Sequence, residues 1–150
     1  MDYNKNIKQL LRQAKLRAVS ESEWVMLSGD GSDRKFYRLG LDSGESCLVV
    51  FPSTSISDKQ ALAESHSAYA IGKHLECNGV SVPHIFAYDE ESGGVLFEDL
   101  GNNLLYDLVK KDANFPLDSY RQALEEFCQP LSEALNWPIA KIKQAGIPSS

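Results

Sequence analysis

The sequence predicts an α+β fold, and three of its features carry that prediction. Apolar residues recur at helical spacing over residues 4–18. Short runs with strand character, near 24–27, 35–39, 47–51, 84–88 and 95–98, are set off by turn-forming residues. One long helical stretch, from about Ser57 to Cys77, separates the third run from the fourth. Up to about residue 100 the expected order is therefore helix, three strands, helix, two strands.

The first helix gathers Ile7, Leu10, Leu11, Ala14 and Ala18 on one side. Its basic residues, Lys5, Lys8, Arg12, Lys15 and Arg17, form a solvated opposite face rather than a membrane or nucleic-acid surface. Trp24-Val25-Met26-Leu27 is a short strand, stopped by the turn-forming segment Ser28-Gly29-Asp30-Gly31-Ser32-Asp33. Lys35–Leu39 follows, with Phe36 and Tyr37 favouring a strand. Residues 41–45 make a hairpin turn into Cys47–Phe51, whose four consecutive apolar residues before Pro52 mark a buried strand. Ser57, three residues before Gln60, suits a helix cap. Behind it, Ala61, Glu64, Ala68, Ile71 and Leu75 share one face. Asn78-Gly79 stops this helix. His84–Tyr88, a tight turn over Glu90–Gly94 and Val95–Glu98 complete the strands. Past Asp99-Leu100-Gly101 the pattern turns helical: one helix over 103–111, and a longer one from Asp118 through Leu131, kinked by Pro130.

Composition narrows the function classes. At 150 residues the chain can bury the core of one domain. Its 43% hydrophobic and 24% charged residues are ordinary for a globular protein. No apolar run reaches membrane-spanning length, and residues 1–20 lack the apolar stretch of a secretory signal. Cys47, Cys77 and Cys128 are odd in number and far apart, which disfavours a disulfide framework or a zinc site and points to a reducing cytoplasm. A net charge of −6 makes the chain a poor general binder of nucleic acid.

Several chemistries are absent from the pattern. There is no G-x-S-x-G elbow and no Walker-type phosphate loop. His66 and His74 stand eight residues apart on one helix, roughly 12 Å along its axis and too far for one metal. Cys77 has no neighbouring His–Asp pattern to activate it. Glu90-Glu91 and Glu125-Glu126 are adjacent pairs that suit solvent. No metal site and no catalytic residue is expected in this stretch.

Two features remain that could carry chemistry. Gly29-x-Gly31 is the first half of G-x-G-x-x-G, with Arg34 where the third glycine would be. Such a loop lets backbone N–H groups approach phosphate oxygens. Ser32 could donate to a phosphate, and Arg34 or Lys35 could add positive charge; the same residues would also make a plain polar turn. Glu64 lies among Ala61, Ala68 and Ile71. A carboxylate on a buried face needs a partner, whereas one at the edge of an apolar stripe would reach water.

Taken in order, these segments resemble a known family. Residues 28–39, SGDGSDRKFYRL, resemble the phosphate loop and second strand of aminoglycoside-phosphotransferase and choline-kinase-like small-molecule kinases, most of all the sugar-kinase branch acting on amino sugars of the bacterial cell wall. Gly79-Val80-Ser81-Val82-Pro83-His84-Ile85 is similar to the segment after that family's long helix, and Leu96-Phe97-Glu98-Asp99-Leu100-Gly101 to its hinge. Together they cover roughly residues 24–101.

The resemblance implies a protein-kinase-like amino-terminal lobe, a five-stranded antiparallel sheet with one long helix, over residues 21–98. It also implies a preceding helix at 1–20, a hinge at 99–102, and the truncated helical start of a second lobe at 103–150. The implied activity is ATP-dependent phosphotransfer to a small-molecule hydroxyl such as that of an amino sugar. Gly29, Gly31, Ser32 and Arg34 would meet the phosphates, Glu64 would hold their cation, and the backbone of Glu98, Asp99 and Leu100 would contact adenine. Asp99 and Gly101 would also serve as cap and joint for the next helix.

This chain departs from the family in two respects. The third strand has no lysine; the position falls at Val50 or Phe51, which leaves Lys59, Arg34 or Lys35 as partners for Glu64. None of His66, His74 and His84 is followed by Gly-Asp, so the catalytic loop that supplies base and Mg²⁺ ligands is missing and the isolated chain is expected to be inactive. Mg²⁺ would enter only with a complete second lobe. One reading is the nucleotide-binding half of a kinase, completed by a second polypeptide. Another is a non-catalytic, pseudokinase-like module that docks a partner or itself through the apolar residues of 103–135. A gene relic is the third.

Overall fold

Asp2 starts the first helix, α1 (Tyr3–Ala14), by accepting a hydrogen bond from the Lys5 N–H at 3.1 Å. The structure, a computed structural model, describes residues 2–27, 33–53 and 57–102, together with 128, 130–133 and 136. The chain divides into two compact units, 1–73 with 83–99 and 74–82 with 100–150. Helix α1 ends four residues before the expected Ala18. Lys15 takes a left-handed φ of 56°, its N–H bonds Arg12 O at 3.1 Å, and the Leu16 N–H bonds Leu11 O at 2.9 Å. That bond pair is a Schellman stop made without glycine. It turns Leu16 back onto the core, and Ala18 then forms a β-bridge with Leu41.

After a 3₁₀ turn (Glu21–Glu23) come β1 (Val25–Leu27), β2 (Lys35–Gly40) and β3 (Ser46–Phe51). Helix α2 (Asp58–Cys77), β4 (Ile85–Asp89) and β5 (Gly94–Glu98) follow. All strand pairs are antiparallel, in the order β1-β2-β3-β5-β4. The first unit is thus α+β, built on one five-stranded antiparallel sheet. No helix among the described residues is long and apolar enough to cross a membrane. The helices expected at 103–111 and 118–135 fall outside the described residues, apart from a helical stretch at 130–133.

The core lies on one face of the sheet. Ile7, Leu10 and Leu11 of α1 pack on Leu39, Cys47, Val49, Phe51, Ala87 and Leu96. Burial in β3 alternates instead of running through the strand: Cys47, Val49 and Phe51 are buried, while Leu48 and Val50 on the other face are half-buried. The continuous apolar run therefore belongs to an antiparallel strand with one well-covered face. A buried carboxylate ties α1 to the β4–β5 turn. Asp89 accepts from Gln9 Nε2 at 2.9 Å, from the Ser92 N–H at 3.0 Å and from the Ser92 hydroxyl.

Helix α2 lies against the opposite face, at its β4 side. Ser65 donates to Gly93 O, Tyr69 stacks on Tyr88 with ring centroids 4.6 Å apart, and a Cβ on Gly72 would come within 2.7 Å of Ile85 Cδ1. The packed side is thus Leu62, Ser65, Tyr69 and Gly72, not the expected stripe. Of that stripe only Ala61 is buried, and Ile71 is 57% exposed. Apolar residues are spread around this helix, so spacing alone does not select its face. Its end does match expectation. Gly79 takes φ 76° and bonds Glu76 O, and the Val80 N–H bonds Leu75 O.

Candidate functional site

The half-covered face of the sheet carries apolar residues in cross-strand rows. Phe36, Val50 and Val95 lie opposite one another on β2, β3 and β5, and Leu48 lies opposite Phe97. Alternation along each strand puts them on the side away from α1. Between α2 and this face of the sheet lies a cavity of about 230 Å³. Phe36, Val50, Val95 and Phe97 form its floor, Ala61 and Ala68 its wall, and Arg34, Glu64, Ser53 and Ser65 its polar rim. A pocket for a drug-sized ligand holds ~300–1,000 Å³, so this space suits one part of a larger molecule.

Arg34 and Glu64 meet at the end of the cavity where the 28–32 connection joins β2. Arg34 Nη2 is 4.0 Å from Glu64 Oε2, with the side chains 50% and 47% exposed. Glu64 is therefore not the buried carboxylate of the stricter reading; it stands at the edge of the stripe, in water, facing one cation. Its other oxygen, Oε1, accepts from Gln60 Nε2 at 3.0 Å. The Gln60 side chain reaches forward one turn instead of back to the helix start, where only its N–H meets Ser57 Oγ, at 3.4 Å. Half-exposed pairs of this kind contribute ~0–1 kcal/mol, so this contact orients more than it stabilises.

The other end of the sheet is more tightly built. Arg38 donates from Nη2 to Asp99 Oδ1 at 2.9 Å, and its Nε lies 2.6 Å from Oδ2. The Ser46 hydroxyl donates to the same Oδ2 at 2.6 Å. The Asp99 side chain is only 2% exposed. Expected as a helix cap, this carboxylate is engaged by β2 and β3, and so fixes the backbone that follows β5. Glu98 pairs with His84: its N–H bonds His84 O at 2.8 Å, and its Oε2 accepts from the His84 N–H at 3.0 Å. Leu100, in the second unit, is 68% exposed.

Of the expected site residues, the structure brings Arg34 and Glu64 together and sets Glu98 and Asp99 apart from them. Gly29, Gly31 and Ser32 lie outside the described residues. Five residue steps along β3 separate the position opposite Arg34 from Cys47, which faces Glu98, a span of about 16 Å at ~3.3 Å per residue. Gln60 carried a signal, since residues four apart on a helix are neighbours. The Arg38–Asp99 pair carried none, because 61 residues lie between its members. No group of three His, Cys, Asp or Glu among the described residues could hold a metal ion.

Cys47 lies beneath Asp99 on the core side. Burial, and then the Asp99 charge, push its thiol up from 9.0 to about 11. The thiol is therefore neutral and shielded near neutral pH. Its share of stability is complete below pH 9 and is lost as pH rises through about 11. Iodoacetamide at pH 8 is expected to label exposed Cys77 and to leave Cys47 untouched until denaturant is added. Peptide mass spectrometry checks this, and labelling of Cys47 in the folded chain would contradict it.

No family model matches the chain, and no curated protein matches it.

Proposed function

We propose that the chain is the nucleotide-binding lobe of an ATP-dependent phosphotransferase of the aminoglycoside-phosphotransferase type, whose acceptor is a small-molecule hydroxyl such as that of an amino sugar. The observation that carries this reading is the half-covered sheet face. An apolar floor runs along β2, β3 and β5, with a cation–carboxylate pair at one end and an anchored backbone segment at the other. A nucleoside triphosphate has the matching chemistry: a flat apolar base, a polyanionic tail, and a length comparable to the span between the two ends. Adenine would lie toward Glu98 and Asp99, meeting backbone groups other than the Glu98 N–H, which bonds His84 O, and the phosphates toward Arg34 and the glycines at 29 and 31. The five-stranded antiparallel sheet with a helix between β3 and β4 is compatible with the lobe that this reading requires.

Phosphoryl transfer needs a base and Mg²⁺ ligands, and no His-Gly-Asp occurs in these 150 residues. Binding without turnover is the expected behaviour of this chain alone. The test is calorimetric titration of Mg·ATP into the chain and into Gly31→Asp, whose added carboxylate would repel phosphate. Binding that the variant loses is expected; a folded chain that binds no ATP would sink the reading.

A second reading, a non-catalytic binding module, is favoured by one observation. Of the two positions where the family's third-strand lysine would stand, Val50 lines the cavity and Phe51 is buried in the core, and neither is a cation. Adding a polypeptide that carries the missing catalytic loop separates the two: ATP turnover by the mixture supports the enzyme, and its absence with ATP still bound supports the module.

A further inference from the structure

We propose that Arg34 is the phosphate-binding cation of this site, doing from the start of β2 the work that a lysine on β3 would do, with Glu64 as its positioning residue. This rests on the nucleotide reading above and deepens it. It makes the polyphosphate tail, more than the base, the part of the ligand that this lobe selects.

Four observations support it. The two places where a third-strand lysine could stand are now distinguishable: Val50 lines the cavity, and Phe51 is fully buried in the core on the opposite face. Neither carries a charge. Of the three cations that the sequence offered as partners for Glu64, Lys35 pairs with Phe51 in the β2–β3 register and so shares its face, turned from the cavity. Lys59 is not among the cavity-lining residues, and Arg34 is. Third, Arg34 follows Gly31 by three residues in the sequence, and a Gly-x-Gly segment is suited to phosphate. Fourth, Gln60 fixes one oxygen of Glu64 and leaves the other toward Arg34.

The geometry suits a ligand-binding cation better than a structural one. A contact of 4.0 Å between half-exposed groups holds Arg34 loosely. A guanidinium has five donors in a planar fork, and one distant carboxylate oxygen leaves most of them for a ligand. That fork grips two oxygens of a phosphate at once and stays charged at any working pH. Glu64 restricts where the fork points and does not neutralise it, which is the part a helix glutamate plays toward a strand lysine.

Calorimetry of adenosine, ADP and ATP at fixed ionic strength tests the inference, using the whole chain and the variants Arg34→Ala, Arg34→Lys, Glu64→Gln and Arg34→Ala with Val50→Lys. The unaltered chain is expected to bind ATP more tightly than adenosine. Arg34→Ala should weaken ATP by roughly 10- to 100-fold, the range for a lost charged hydrogen bond, and leave adenosine unchanged. Lysine at 34 should recover part of the loss, since a point charge cannot fork. Glu64→Gln should weaken ATP less than Arg34→Ala does. Lysine at 50 in the alanine background should restore the preference for ATP over adenosine. Equal ATP affinity in the unaltered chain and Arg34→Ala would overturn the inference and leave the nucleotide reading standing. Failure of the unaltered chain to bind any of the three ligands would remove both. Arg34 is half exposed, so its replacement does not threaten the fold.

Discussion

Replacing Arg38 by alanine is expected to destabilise the chain by about 3–5 kcal/mol, the range for removing one member of a buried ion pair. Asp99 is 2% exposed and takes two contacts from Arg38. Without the guanidinium its charge would lose both contacts from β2 while staying in a low-dielectric site. At the few degrees per kcal/mol usual for chains of this size, Tm should fall by about 10 °C. Asp99→Asn should cost a comparable amount, since it removes the charge and keeps the shape. The double variant Arg38→Met with Asp99→Leu should recover most of the loss, because apolar residues of similar volume often replace a buried pair without penalty. Urea denaturation measures all three. Single variants within ~1 kcal/mol of the parent would mean that the pair is only a surface contact. Arg38→Ala should also weaken Mg·ATP binding if the backbone of Glu98 and Asp99 is the base-binding one, since the Asp99 side chain is tied to β2 and β3.

Phe51→Ala is the second large effect, about 3–5 kcal/mol. Phe51 has no exposure, and its ring lies 5.0 Å from that of Tyr3 and 6.2 Å from that of Tyr37. Gly94 is shaped to it: a Cβ there would come within 2.7 Å of Phe51 Cε1. The ring thus joins α1, β2, β3 and β5, and its loss leaves a void that these elements cannot all collapse into. Phe51→Leu keeps most of the volume and should cost less. Thermal unfolding followed by circular dichroism gives the ranking. Equal Tm for the parent and Phe51→Ala would show that the core does not depend on this side chain.

Local pattern fared well wherever one element's own chemistry decides the outcome. Among the described residues, the five strands and the two helices α1 and α2 fall close to where runs, turns and caps place them, because β-branched and aromatic runs, Asn78-Gly79, Gly44 and Gly93 act within a few residues of themselves. It fared less well wherever a neighbour decides. Helix α1 stops at Ala14 because Leu16 finds the core, although the apolar spacing continues to Ala18. Helix α2 presents Leu62, Ser65, Tyr69 and Gly72, since small residues allow close approach to Ile85 and Gly93 and Tyr69 finds a flat partner in Tyr88. Glu64 is half exposed for the same reason.

By itself the sequence determined the α+β class, the order of elements and the residues worth watching at 34, 64, 98 and 99. Class and order follow from periodicity and turn chemistry, which are short-range, whereas the site residues are what the family resemblance implies. Only the tertiary structure decided that Val50, not Phe51, faces the cavity, that Arg34 is the cation opposite Glu64, and that Asp99 belongs to Arg38. Each of these depends on strand register. A register shift of one residue moves every side chain to the other face, and register is set by pairing between segments far apart in the chain.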